Sequence, residues 1–185
     1  MPHLASLRAG ASLIDVFKAF PDTSKPLIEF SEVLLRGPSP FTAAERELIA
    51  AYVSGLNRCR YCHGVHTATA ELMGIEAGLL PRIVRDGGLD GVAAKLKPVL
   101  ALARTLTLSP HALTKADTQA VLDAGWDDAA LYHAVAVTAL FNFMNRLVEG
   151  LGIELTPDYT APAAQRLAER GYSPLLEMMQ AGRRS

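Results

Sequence analysis

The sequence predicts an all-α protein, and three observations carry that prediction. Apolar residues recur every three to four positions along most of the chain, and no stretch alternates apolar and polar residues long enough to make a sheet. The punctuation of Pro38-Ser39-Pro40, Gly74 and Gly87-Gly88 falls between the periodic runs. A length of 185 residues fits one domain with a sizeable core. The chain therefore reads as a single unit over 1–185, with its core at about 25–153 and a C-terminal arm at about 156–185.

Taken in order, the first two helices are expected at 12–19 and 25–35, before the Pro38-Ser39-Pro40 break. The third, 43–56, opens on Thr42-x-x-Glu45, a capping box that gives Glu45 a structural task. Its large apolar face is Leu48, Ile49, Tyr52, Val53 and Leu56. Glu47 lies nearly opposite, among Ala43, Ala50, Ala51 and Ser54, where small side chains admit a neighbouring helix and partly desolvate a carboxylate. After a short turn at Asn57-Arg58 comes the fourth helix, 60–73, so these two form an αα-hairpin. The fifth helix, 77–85, precedes Gly87-Gly88; the sixth, 91–105, precedes Ser109-Pro110; the seventh spans 115–123.

The eighth helix, 128–151, contains AALYHAVAVTALFNFM at 129–144, apolar almost all round, as expected of a central or interface helix. His133, Thr138, Asn142 and its modest length argue against a membrane span. From Thr156 onward, Pro157, Pro162 and Pro174 predict a loosely packed extension or an arm around a neighbour.

Composition narrows the function. Hydrophobic residues make up 50% of the chain and the mean hydropathy is +0.17, which predicts apolar surface covered in a homo-oligomer. A net charge of −1 from 18 basic and 19 acidic residues, with no basic stripe, excludes an electrostatic footprint for nucleic acid. The N-terminal MPHLASLRAGASLIDVF does not read as a secretory signal, so a cytoplasmic location is expected. In that compartment a close cysteine pair is more often catalytic or metal-binding than a structural staple.

Residues 59–66, CRYCHGVH, concentrate the chemistry. Cys59-x-x-Cys62-His63 fits haem attachment, the Cys/Cys/His/His set could bind zinc, and C-x-x-C alone makes a redox dithiol. Haem attachment is disfavoured by the missing export signal. Zinc would need ligands from elsewhere, because one straight helix cannot surround a tetrahedral ion, there is no third cysteine, and nothing in the spacing selects His3, His111 or His133. The dithiol needs no further ligand. A thiol in the first helical turn faces the positive end of the dipole, which favours a Cys62 thiolate.

Cys59, Cys62, His63 and His66 share one stripe of about 100°. Cys62 lies nearer the apolar stripe of Val65, Ala68 and Leu72, so it is expected to be the sheltered thiol and Cys59 the accessible one. His66 is i+4 from Cys62 and His63 is i+4 from Cys59, and spacing does not choose between these pairs. Glu47 and His66 fall at similar heights on the antiparallel hairpin, which makes a Glu-His-Cys relay plausible, with Glu47 and His66 replaceable without preventing folding.

Glu47 followed by Cys59-x-x-Cys62-x-x-x-His66 resembles the alkylhydroperoxidase D branch of the carboxymuconolactone decarboxylase superfamily. Asn142-Phe-Met-Asn145-Arg146-Leu-Val-Glu-Gly150-Leu-Gly resembles that family's late helix, so the likeness covers about 25–153, and it extends to the peroxidase-related members. The resemblance implies a helical subunit in trimers or hexamers that reduces a small hydroperoxide without metal or cofactor. It implies Cys62 as the peroxidatic thiol, Cys59 as the resolving thiol, His66 with Glu47 as the proton relay, and an external dithiol of protein or lipoyl type as reductant. One departure is visible: the best-studied members carry a second histidine where this chain has Tyr61, a poor replacement for imidazole at neutral pH given a phenol pKa of about 10. The alternatives are a decarboxylase-like lyase, which does not need the cysteine pair, and a non-enzymatic redox-sensing or metal-binding protein.

Overall fold

Helix α3 (Ala43–Leu56) is the axis of the computed structural model, which describes residues 2–156 and 158–181. Every residue from Arg46 to Ser54 is buried, so this helix has no solvent face. It starts at the expected capping box: the Glu45 amide donates to Thr42 Oγ1 (3.2 Å) and the Thr42 amide donates to the Glu45 carboxylate (2.7 Å). Around it pack α4 (Arg60–Leu72), α6 (Lys97–Leu108) and α8 (Asp128–Gly150), with α5 (Leu79–Asp86) alongside. Helices α1 (Leu13–Ala19) and α2 (Pro21–Arg36) close one end, and α7 (Lys115–Asp123) packs on α6 and α8. Two short 3₁₀ turns, Ala94–Leu96 and Pro110–Ala112, complete the set, and no strand occurs among the described residues.

The all-α prediction holds, and α3 and α7 begin and end where the sequence places them. Helix α2 starts four residues earlier than expected, at Pro21, because a proline at the first helical position has no amide to lose. The sixth helix runs later, Lys97–Leu108, because its expected start at 91 lies in a turn and the 3₁₀ turn Ala94–Leu96 comes between. Helix α8 is central on one face, where Ala130, Ala134, Val137, Phe141 and Val148 are buried, and open on the other, where Tyr132 and Phe143 are exposed. No described helix is long and apolar enough to cross a membrane.

The expectation of a loosely packed tail fails. Pro157 lies outside the described residues, but the other two prolines start helices: Pro162 sits in the first turn of α9 (Thr160–Arg170) and Pro174 in the first turn of α10 (Ser173–Ala181). Helix α9 packs against α4 and buries Ala163, Ala164 and Leu167; α10 packs against α2. Two charged groups of α2 hold the junction, Glu32 accepting from the Tyr172 amide (2.6 Å) and Arg36 donating to the Leu167 carbonyl (3.0 Å).

Candidate active site

The α3–α4 hairpin turns at Asn57-Arg58-Cys59, with Arg58 held at φ +59°, in the left-handed region that favours glycine. The turn is tight enough for the Cys59 amide to donate back to the Ser54 carbonyl (3.0 Å). Cys59 is the cap residue of α4 and Cys62 lies in its first turn.

The hairpin brings Glu47 and His66 together as their heights predict. The carboxylate of Glu47 accepts from His66 Nδ1 at 2.6 Å, and its other oxygen accepts from Arg36 Nη2 at 2.6 Å. Glu47 is 0% exposed, which by itself disfavours ionisation, yet the facing His66 and Arg36 outweigh burial and hold its carboxyl below the usual range. With an ionised carboxylate at Nδ1, that nitrogen carries the proton and Nε2 is the one free to act as a base. The His66 ring stands edge-on to Phe141 of α8, centroids 4.6 Å apart. His63 takes no part: its Nδ1 lies 2.9 Å from the Ala51 carbonyl oxygen, between α3 and α4.

His66 and Cys62 line one cavity of about 60 Å³ that is walled mainly by apolar side chains of α1, α4, α8 and α9, with Leu13, Phe141, Met144 and Leu167 among them. Cys59 does not line it. The accessible Cys59 of the sequence reading is therefore corrected: it is 0% exposed and belongs to the same apolar cluster as Val148 and Ile153. The segment 153–155 and residues 58, 60 and 61 wall one surface groove, so the chain leaving α8 lies across the start of α4, which helical phase alone does not reveal.

The expected ease of forming a Cys62 thiolate is corrected as well. Its hydrogen bond with Cys59 and its burial push the Cys62 thiol well above its ordinary value, while the Asn145 amide, donating to the sulfur, opposes them. A helix dipole contributes about 0.3–1 kcal/mol at an exposed terminus, whereas burial of a thiol shifts ionisation by up to several pKa units, so burial wins. Tyr61, at the position where the resembled family carries histidine, is buried and stacks on Tyr159 (5.3 Å). Its hydroxyl lies near Tyr159 and the Leu13 backbone without a well-aligned hydrogen bond, and burial raises its pKa far beyond the ordinary phenol range. It stays a neutral phenol at any physiological pH.

Two contributors escaped the sequence reading. Asn145 joins the thiol to a buried amide network, donating to Ser54 Oγ (3.0 Å) and accepting from Asn57 Nδ2 (2.9 Å). Its signal was visible as a polar side chain in the apolar α8, noted only as part of a family-like segment. Arg36, which ends α2 before Gly37-Pro38, carried no signal, because only the tertiary fold sets it against Glu47. Among the described residues no group of three or more His, Cys, Asp or Glu side chains is placed to hold a metal ion.

Comparison with known proteins agrees with this architecture. A peroxidase-related protein from Silicibacter sp. TM1040 superimposes with a TM-score of 0.75, covering 80% of this chain and 78% of its own at 22% identity. A peroxidase-related protein from Ralstonia eutropha JMP134, described as having an alkylhydroperoxidase core, superimposes with a TM-score of 0.73 over 78% and 76% at 21% identity. At these identities the likeness is one of fold, the alkylhydroperoxidase D-like helical fold. No curated protein matches the sequence significantly. The family signature described as PA26 p53-induced protein (sestrin) matches residues 4–180, nearly the whole chain, and the protein belongs to that family.

Proposed function

We propose that the protein is a thiol oxidoreductase that reduces organic hydroperoxides through Cys62 and Cys59. One observation carries the reading: a fully buried carboxylate, Glu47, is hydrogen-bonded to a histidine, His66, that shares a cavity with Cys62. The carboxylate fixes the His66 tautomer, and Nε2 takes the Cys62 proton. The thiolate attacks the outer peroxide oxygen, the O–O bond breaks, and the proton held by His66 goes to the departing alkoxide. Cys62 becomes a sulfenic acid and the substrate an alcohol. The Cys59 sulfur displaces water from the sulfenic acid to give the disulfide, and an external dithiol of protein or lipoyl type reduces it. The raised Cys62 pKa and the neutral Tyr61 both predict a modest rate at neutral pH.

Turnover of tert-butyl hydroperoxide with a dithiol donor, followed by mass spectrometry, tests the cycle. The expected product is a reversible disulfide between Cys59 and Cys62 of one chain. Only intermolecular links, or no bond, would contradict it. The burial of Cys59 favours a second reading, a redox sensor oxidised once and reduced slowly, and this predicts a single stoichiometric oxidation even with excess dithiol.

The exposed Tyr132 and Phe143 on α8, with Phe30 and Val33 on α2, support assembly as a homo-oligomer, a trimer or hexamer by family likeness. Light scattering should give a mass several times 19.8 kDa across micromolar concentrations, and a single species at the monomer mass would refute assembly.

A further inference from the structure

The cavity beside Cys62 contains one feature that hydroperoxide reduction alone does not use. Arg166 lines it from α9, the helix that packs against α4; its side chain is part-exposed, but its Nε is fully buried with no hydrogen-bond partner among the described residues. Among the described residues no carboxylate pairs with this guanidinium, whereas the other arginine near the site, Arg36, is taken up by Glu47 and the Leu167 carbonyl. None of the described residues that line the cavity is acidic. An unpaired buried donor on a cation is costly, and an arginine fork matches a carboxylate better than any neutral acceptor. The remaining walls are almost wholly apolar, with Leu13, Phe17, Leu140 and Met144 among them.

We infer that the cavity selects an apolar organic hydroperoxide that also carries a carboxylate, with Arg166 as the anchor for the anion and Cys62 as the thiol that meets the peroxide. The inference rests on the peroxidase reading above. Its chemistry is unchanged: the carboxylate is a spectator, and the peroxide becomes an alcohol as Cys62 is oxidised to the sulfenic acid. The cavity encloses only about 60 Å³, less than the roughly 150 Å³ that houses a benzene ring, so a short alkyl acid fits it better than an aryl or long-chain one. Helix α9 thereby acts as a specificity wall, supplying the cation together with Ala163 and Leu167 as apolar lining.

The test compares tert-butyl hydroperoxide with a carboxylated analogue, 3-hydroperoxy-3-methylbutanoate, for the unmodified chain and for Arg166→Gln and Arg166→Lys. A charge-assisted contact of this kind predicts a kcat/KM preference for the acid of about 10–100-fold, most of it in KM. Arg166→Gln should collapse that ratio towards one, and Arg166→Lys should restore part of it. Calorimetric binding of the unreactive 3-methylbutanoate, against 3-methylbutanamide, gives a readout independent of turnover. If the acid binds in preference to the amide and loses that preference in Arg166→Gln while neither hydroperoxide is consumed, the anion site stands and the peroxidase reading falls. If both hydroperoxides are consumed at equal efficiency, or Arg166→Gln leaves the ratio unchanged, the anion site is overturned.

Discussion

Cys62→Ser should abolish hydroperoxide consumption, whereas Cys59→Ser should complete one turnover and stop with a sulfenic acid on Cys62 that a dimedone-type probe traps. The asymmetry follows from the cavity, which admits a ligand to Cys62 and His66 but not to Cys59. It also has a pH signature. Because burial and the hydrogen bond with Cys59 hold the Cys62 thiol above its ordinary value, the thiolate is a minor species near neutrality. The first oxidation should therefore accelerate by close to tenfold per pH unit from about pH 6 towards pH 9 until the thiolate saturates. Stopped-flow oxidation of each variant against pH provides both readouts. Retention of the first step in Cys62→Ser and its loss in Cys59→Ser would reverse the roles and set aside the relay through His66.

Glu47→Gln should reduce both stability and rate. Glu47 is 0% exposed and is shared by His66 and by Arg36, whose side chain is only 13% exposed, so the amide leaves a largely buried guanidinium without its counter-charge. Breaking one side of a buried ion pair typically costs about 3–5 kcal/mol, or roughly 6–20 °C in Tm for a chain of this size. The expectation that this residue is replaceable without preventing folding considered only its relay task, and a loss of this size is compatible with a folded protein. Loss of the Nδ1 acceptor should also slow the first oxidation by about 10²–10⁴-fold. His66→Ala should slow it comparably with a smaller stability loss, since Glu47 keeps Arg36. The pH dependence carries a definite sign. A carboxyl held below its ordinary 4.5 in the folded state contributes stability in full above that pH and loses it as pH falls through the folded-state value. Acid denaturation should therefore be less steep in Glu47→Gln, and equal steepness in the two proteins would contradict the assignment.

Much of this site was legible in the sequence, for physical reasons. The meeting of Glu47 with His66 follows from a fixed rise per residue and a short turn, both local properties, and the Thr42-Glu45 box fixes where the first helix of the pair starts. What was not legible depends on parts distant in the chain. Cys59 is buried because segment 153–155 returns to the start of α4, Arg36 reaches Glu47 only once α2 is docked, and Arg166 reaches the cavity only through α9. The prolines of the tail misled because a proline in a first turn and a proline in a loop are the same letter; only the packing of Ala163 and Leu167 distinguishes them. The sign of the Cys62 shift misled because the helix start favours the thiolate, whereas the hydrogen bond with Cys59 and the burial supplied by the rest of the fold both disfavour it.

The covering of the cavity by α9 has a consequence for the timing of synthesis. Cys62 emerges early, but the wall formed by Ala163, Arg166 and Leu167 is made about a hundred residues later. At about 5–20 residues per second the nascent chain carries its thiol pair unroofed for roughly 5–20 s. During that interval Cys62 lacks the part of its apolar enclosure that α9 supplies, and burial is one of the causes that raise its pKa. Each molecule thus passes through a brief stage of unselective thiol chemistry before the final helices close over it.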